Sequence, residues 1–487
     1  MATPNSASPA STNTSTTVSG DSPDPGPTIF VLFGATGDLA KRMVLPAFYK
    51  LWLEHLLPEH WLLVGNGRGD VAHEDFRAHF HDSLEEFGPK PADADWPQFS
   101  PNLFFAGGGF NSDDPGSLLD HLAKAKQRLG GNPQLIHYLA VPPVAFGDLT
   151  SALGQHGLAE GSRVVYEKPF GTSQQNFEQL DRTVHSVLDE SQVYRIDHFL
   201  GKEATQDLHV LRFANGLFNA MWSNEHIESV QIDVPETLDI DDRAQFYDAT
   251  GAVLDMLVTH LFQVAAEVAM EPPASLHADD LQAAREEVIR CFRPIDPKEV
   301  VLGQYEGYRD VPGIDPNSNQ NTFVAARLWI DNERWRGVPF FMRTGKRLAE
   351  SAQRVSIILK EPDGPLGGKV DADSNVLSFS LSGDGEIDLT LVAKKPGPAL
   401  ITEGAEMSIP LSGMDGADPL PPYVRLIHDV IIGDRSLFTR PDGLAAVWEV
   451  AAPLLNTPPE VIPYPQGSWG PAQASALVTP DHWLQGQ

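Results

Sequence analysis

The stretch TIFVLFGATGDLAKR, residues 28–42, constrains this chain more than any other. Residues 28–33 form an apolar run of strand length, and a glycine turn leads at once into GATGDLAKRMVLPAFYKLWLEHLL, which reads as a helix. A second strand, WLLVGNGR (61–68), follows about one helix later. Strand, glycine-rich turn, helix and strand together open a nucleotide-binding α/β unit.

Further buried strands fit LIHYLAV (135–141) and RVVYE (163–167), with helical stretches such as SLLDHLAKAKQRL between units. The texture then changes. HIESVQIDVPETL (226–238), FVAARLWI (323–330), RVSIILK (354–360) and the pair VLSFSLSG and EIDLTLVAK (376–394) read as longer strands, several joined by short turns. The expected fold is therefore α/β: an N-terminal Rossmann-type, doubly wound parallel sheet and a C-terminal β+α domain with a large, mainly antiparallel sheet. We divide the chain into a Ser/Thr/Pro-rich tail (1–27) expected to be disordered, a dinucleotide-binding domain (28–200) and a second domain (201–487). At 487 residues, two cores are the natural expectation.

Charge narrows the partners. With 35 basic against 66 acidic residues the formal net charge is -31, which disfavours nucleic acid and anionic membrane as ligands. No run of 18 apolar residues suggests a membrane span. The single cysteine, Cys291, excludes an intrachain disulfide framework, fits a reducing cytosol, and reads as a small buried hydrophobe. No metal site is expected.

Four motifs can carry chemistry. In GATGDLAKR, Gly34 and Gly37 permit a tight turn close to a pyrophosphate, held by the free N–H groups and positive dipole end of the following helix. An NAD-binding unit tends to end its second strand with Asp or Glu, whereas this chain has Arg68, which could pair with a 2′-phosphate with help from Thr36; both favour NADP. In EKPFG (167–171), Lys168 would stand at the carboxyl end of a strand, where open α/β sheets bind ligands.

The third motif is YRIDHFLGKE (194–203): a helix starting near Phe199 would put His198 and Lys202 on one face as two donors for a phosphate. The fourth is GAVLDMLVTHLFQVAAEVAMEPP (251–273), an apolar helix interrupted by Asp255, Thr259 and His260. On an α-helix Asp255 and His260 would lie about 140° apart. Either an exposed charged loop at 194–203 or a structurally satisfied core histidine at 260 is compatible with these residues alone.

Taken together, GATGDLAKR, EKPFG, YRIDHFLGKE with ATQDLHVLRFANGLF, the DM…HLFQ…VAMEPP helix, NERWRGVPFFMRTGKRL (332–348) and YPQGSWGP (464–471) resemble the glucose-6-phosphate dehydrogenase family, in order and spacing, from about residue 28 onward. The resemblance implies a cytoplasmic enzyme, a homodimer or homotetramer, that uses NADP to oxidise C1 of β-D-glucose 6-phosphate to 6-phospho-D-glucono-1,5-lactone, the first step of the oxidative pentose phosphate pathway. It implies His260 as the base, Asp197 as its orienting carboxylate, and Lys168 in contact with sugar and coenzyme. Gly34, Thr36, Gly37, Asp38, Leu39, Lys41 and Arg68 fall on the coenzyme site. His198, Lys202, Glu236, Asp255 and Lys346 fall on the substrate site. The Lys168–Pro169 bond is expected to be cis.

Several positions depart from the family pattern, among them the run Leu254-Asp255-Met256-Leu257-Val258-Thr259-His260, which keeps the carboxylate and the histidine of the usual R-D-M-V-Q-N-H but not its peripheral polar groups. Phe199 replaces the tyrosine usual in R-I-D-H-Y-L-G-K-E, Ser351 stands where a second basic substrate contact is usual, and Ser382 replaces a substrate-side glutamine. Each lost contact is worth about 1–3 kcal/mol. A weaker sugar-phosphate site, or one shifted to another aldose, therefore stays open. A non-catalytic binder would have no need of a base with its carboxylate. Serines near 351 and 380 also argue against a second NADP site.

Overall fold

The computed structural model describes residues 25–240, 243–366 and 375–486; most of the tail expected at 1–27 lies outside them. The first sheet holds β1 (Thr28–Phe33), β2 (Trp61–Asn66), β3 (Leu103–Ala106), β4 (Gln134–Leu139), β5 (Arg163–Tyr166) and β6 (Val193–Arg195) in the order β3-β2-β1-β4-β5-β6. Every pairing is parallel. All six residues of β1 are buried, with Phe30 and Leu32 in the core on one face and Ile29, Val31 and Phe33 in the core on the other. A strand that is apolar at every position can be accommodated only when both faces are covered. The winding reverses between β1 and β4, and this switch point is where such sheets bind ligands.

The second sheet is built from β7 (Ile227–Pro235), β8 (Val300–Tyr305), β9 (Phe323–Leu328), β10 (Phe340–Gly345), β11 (Arg354–Leu359), β12 (Val376–Ser380), β13 (Glu386–Lys394), β14 (Thr402–Pro410) and β15 (Val461–Tyr464). Its order is β14-β13-β12-β11-β7-β10-β9-β8-β15, with β7–β10 and β8–β15 parallel and the remaining pairs antiparallel. The helical run Ala244–Ala269 covers one face. It is long and apolar enough to cross a membrane, but 89% of that apolar window is buried in the protein. It packs its Val253, Leu257, Leu261 and Val264 into the core under Val230, Ile232 and Val355.

Two features differ from the sequence reading. The division near residue 200 describes the sheets but not the helices. Helix Pro422–Ile432 places Val424, Leu426, Ile427 and Val430 in the core on one face of the first sheet. Helix Pro441–Asn456 sends Trp448 into the core on the other face while Val447, Val450 and Leu454 face the second sheet's core. Cys291, expected to be buried, is half-buried past the end of helix Ala278–Ile289, its thiol donating to the Glu287 carbonyl at 3.5 Å.

Candidate active site

At the carboxyl end of β1 the chain turns at Gly34, whose φ is +73°. A Cβ there would lie 2.3 Å from the Ala140 carbonyl oxygen after β4, so only glycine allows the two strand ends to come this close. Gly34 and Ala35 donate to the Asn66 carbonyl, and Gly37 donates to that of Gly34. Leu39 leads into a short π-helical turn, Ala40–Val44, and then helix Leu45–Leu53. Lys41 pairs with Glu86 at 2.6 Å and Asp38 with Arg42 at 2.7 Å, both near solvent.

Arg68 is exposed and has no ion pair among the described residues. The Thr36 hydroxyl lies next to Gly67, 3.8 Å from where a Cβ of that residue would be. An exposed guanidinium and a hydroxyl near the second strand's end fit a 2′-phosphate, and the glycine turn fits a pyrophosphate. This donor set suits NADP.

On the other side of the switch point the Lys168–Pro169 peptide is cis and Lys168 turns toward the second domain. Its ammonium donates to the Asp255 carboxylate at 3.2 Å and to the Asp255 carbonyl at 3.3 Å. Burial alone would raise Asp255, but the charges of Lys168, Lys346 and Arg243 hold it down at about 2. It is therefore a fixed negative charge at neutral pH.

Beyond β6, the Asp197 Oδ1 accepts from the Phe199 backbone N–H at 2.9 Å and lies 2.6 Å from His260 Nδ1. Side-chain capture of a backbone N–H competes with helix formation. Residues 198–201 accordingly form a turn, and the helix starts at Glu203 rather than near Phe199 as the spacing predicts. His198 and Lys202 still reach the same pocket. His198 packs edge-on against the His260 ring at 4.5 Å, and the Lys202 ammonium sits over the Phe199 ring at 5.1 Å while donating to the Leu381 carbonyl at 3.0 Å.

His260 is fully buried, and among the described residues its Nε2 has no hydrogen-bond partner. Burial, reinforced by the Lys168 charge, holds its pKa well below the ordinary imidazole value. Burial pushes Asp197 up to about 6 against the pull of His198, the Phe199 N–H and Lys168. Near neutrality the pair is thus a neutral imidazole donating from Nδ1 to a carboxylate, with the Nε2 lone pair free to take a proton. Lys202 is lowered to about 8 by burial.

The segment Val253–Leu261 is π-helical, with Phe262 N–H donating to the Leu257 carbonyl five residues back. That ladder brings residues five apart nearly above one another, so Asp255 and His260 share a face instead of lying far round the helix. Insertions of this kind often occur at functional sites. Glu236, just after β7, is ion-paired with Lys346 after β10, whose ammonium lies 5.8 Å from the centre of the Tyr247 ring. Tyr166, Lys168, Phe170, Arg195, Asp197 and Thr259 line a small cleft beside the Lys168–Pro169 turn.

The departures have structural outcomes. Phe199 is 1% exposed and packs against His260 at 4.9 Å, so its ring belongs to the core around that imidazole. Ser351 accepts from the Thr237 N–H at 2.8 Å and bonds the Thr237 hydroxyl at 2.8 Å, tethering the segment that follows Glu236. Two residues that sequence reasoning missed join the site. The Glu167 carboxylate accepts from Tyr138 at 2.5 Å and from Tyr423 at 3.4 Å, and the Tyr423 ring stacks near His198. Glu167 stood in view within EKPFG, whereas Tyr423 lies in no motif.

A buried imidazole with one free nitrogen has a use where a hydroxyl must lose its proton as hydride departs from the same carbon. On a doubly wound sheet with this phosphate turn, the class is that of the nicotinamide-dependent dehydrogenases. Comparison with known proteins is specific. Residues 31–207 match the family described as glucose-6-phosphate dehydrogenase, NAD binding domain, and residues 209–484 match its C-terminal domain. Glucose-6-phosphate 1-dehydrogenase of Aggregatibacter actinomycetemcomitans is 34% identical over 92% of this chain and 95% of its own. The X-ray structure of the Mycobacterium avium enzyme of that name aligns with a TM-score of 0.85 at 34% identity, covering 95% of this chain and 99% of that one. A glucose-6-phosphate dehydrogenase in complex with its substrate glucose-6-phosphate aligns with a TM-score of 0.87 at 30% identity, with the same coverages. The chain belongs to the glucose-6-phosphate dehydrogenase family.

Proposed function

We propose that this protein oxidises C1 of β-D-glucose 6-phosphate to 6-phospho-D-glucono-1,5-lactone with NADP, using His260 as general base. The observation that carries the reading is the His260–Asp197 pair: Nδ1 is fixed by a carboxylate at 2.6 Å, and Nε2 is left unpartnered in a buried site. When bound, NADP supplies the nicotinamide that takes the hydride from C1. His260 Nε2 takes the C1 hydroxyl proton, C1–O becomes a carbonyl, and Asp197 stabilises the imidazolium that forms. Lys168, held by Asp255, donates to the sugar hydroxyls and offsets charge in the closed site. Glu236 and Asp255 accept from sugar hydroxyls, and His198, Lys202 and Lys346 hold the substrate's polar end.

Coenzyme binding falls to Gly34, Thr36, Gly37, Asp38, Leu39, Lys41, Arg68 and Lys168, within a coenzyme domain at 28–200. Substrate binding and oligomerisation fall to 201–487. The acidity and the single cysteine support a cytoplasmic setting. The proposed assembly, a homodimer or homotetramer, is read directly by light scattering.

Steady-state NADPH formation from glucose 6-phosphate tests the reading. His260→Asn should lower kcat by about 10²- to 10⁴-fold while glucose 6-phosphate still binds. Turnover of His260→Asn at the parent rate would overturn it. Running free glucose in parallel separates a phosphate-dependent site from one that has shifted to another aldose.

A further inference from the structure

The segment that carries Asp255 and His260 begins at an abrupt kink. Gly251 has φ +59° and ψ −179°, a conformation that ends the preceding helix turn and leaves the N–H groups of Ala252 and Val253 without helical acceptors. One residue takes both. The Ala252 N–H donates to the Asn321 carbonyl at 3.0 Å, and the Val253 N–H donates to the Asn321 side-chain Oδ1 at 2.9 Å.

Asn321 is itself held. Its Nδ2 and backbone N–H donate to Gln320 Oε1 at 3.0 and 3.1 Å, and Gln320 Nε2 donates to the Asp248 carbonyl at 2.9 Å, within the helix that precedes the kink. A Cβ on Gly251 would come within 2.6 Å of Gln320 Oε1 and 2.9 Å of the Asn321 carbonyl oxygen, so kink and cap fit together without slack. On its other side the cap continues into the substrate groups. The next residue, Thr322, accepts from the Lys346 N–H at 2.9 Å, and Tyr464 donates to the Lys346 carbonyl at 2.6 Å while bonding the Thr322 hydroxyl at 3.0 Å.

We propose that Asn321 is a positioning residue for the reaction: by capping the π-helical segment it fixes the height of Asp255 and His260, and through Thr322 it holds them in one frame with Lys346. A π-helical stretch has an alternative close by, since the same residues can slip to ordinary α-helical bonding. The side-chain bond at Val253 supports the observed register at its first residue. A small displacement of a base is expensive in rate, about 10²-fold for 1 Å.

This inference rests on the reading of His260 as base. The test compares Asn321→Ala, Asn321→Asp and His260→Asn by steady-state kinetics and thermal melting. Asn321→Ala should lower kcat about 10- to 100-fold with KM for NADP unchanged, because the coenzyme contacts lie across the switch point. Asn321→Asp keeps the acceptor for Val253 but loses the Nδ2 bond to Gln320, and should recover part of that loss. Parent-like kcat in Asn321→Ala, no recovery in Asn321→Asp, or a loss of activity that only follows the unfolded fraction would overturn the inference. If His260→Asn is inactive while Asn321→Ala is not impaired, only the positioning role fails; if His260→Asn turns over normally, the base assignment fails as well.

Discussion

The region proposed for the coenzyme and the region proposed for the base solve their problems in opposite ways. At the first, Thr36, Asp38 and Arg68 are exposed, and the ion pairs of Lys41 and Asp38 are near solvent. At the second, Asp197 and His260 are 2% and 0% exposed, and a single hydrogen bond fixes which nitrogen carries the proton. Solvent makes the first end forgiving, since a lost contact there is replaced by water. Burial makes the second end unforgiving, since it both shifts the pKa values and leaves no substitute partner.

The contrast can be broken most sharply at Asp197. Asp197→Asn removes the charge that stabilises the imidazolium and brings in an amide N–H that can donate to Nδ1 and reverse the tautomer, so kcat should fall by about 10²- to 10⁴-fold in the NADPH assay, with KM for NADP unchanged. A loss below tenfold would put the base end on a par with the coenzyme end. Arg68→Ala is the matching change at the exposed end. Loss of one charge-assisted contact should lower kcat/KM for NADP by about 10- to 100-fold, leave NAD-linked turnover as it was, and leave Tm unmoved.

The smallest effect is in the pH dependence. With Asp197 at about 6, kcat should fall as pH drops through that value, because the protonated carboxyl no longer carries the charge that stabilises the imidazolium. With Lys202 at about 8, raising the pH through that value removes its charge, so KM for glucose 6-phosphate should rise severalfold while kcat holds. Separate acid and alkaline limbs, one in kcat and the other in KM, sharpen the comparison; a single shared limb would erase it.

The first sheet was legible because β1 leaves no choice: six buried residues and a glycine turn have one accommodation. The base proposed at His260 is suggested in the sequence only by resemblance, since a lone histidine in an apolar helix carries no label. Its geometry was not legible at all. Periodicity assumes α-helical spacing, and the π-helical register of Val253–Leu261 is set by Gly251 and by Asn321, distant in sequence. The helix start at Phe199 failed for a similar reason, since the Asp197 side chain competes for the Phe199 N–H. Helices Pro422–Ile432 and Pro441–Asn456 lie in no motif, and nothing in an apolar helix face says which sheet it covers.

Those two returning helices bear on how the chain is made. Translation proceeds at about 5–20 residues per second, so a ribosome takes roughly 10–45 s to travel from residue 200 to the first of them. Through that interval the completed strands of the first sheet wait with part of each apolar face uncovered, in a crowded cell where such surfaces attract one another. The first sheet is thus the first to be synthesised and among the last to be sealed, after a period set by the distance between β6 and Pro422.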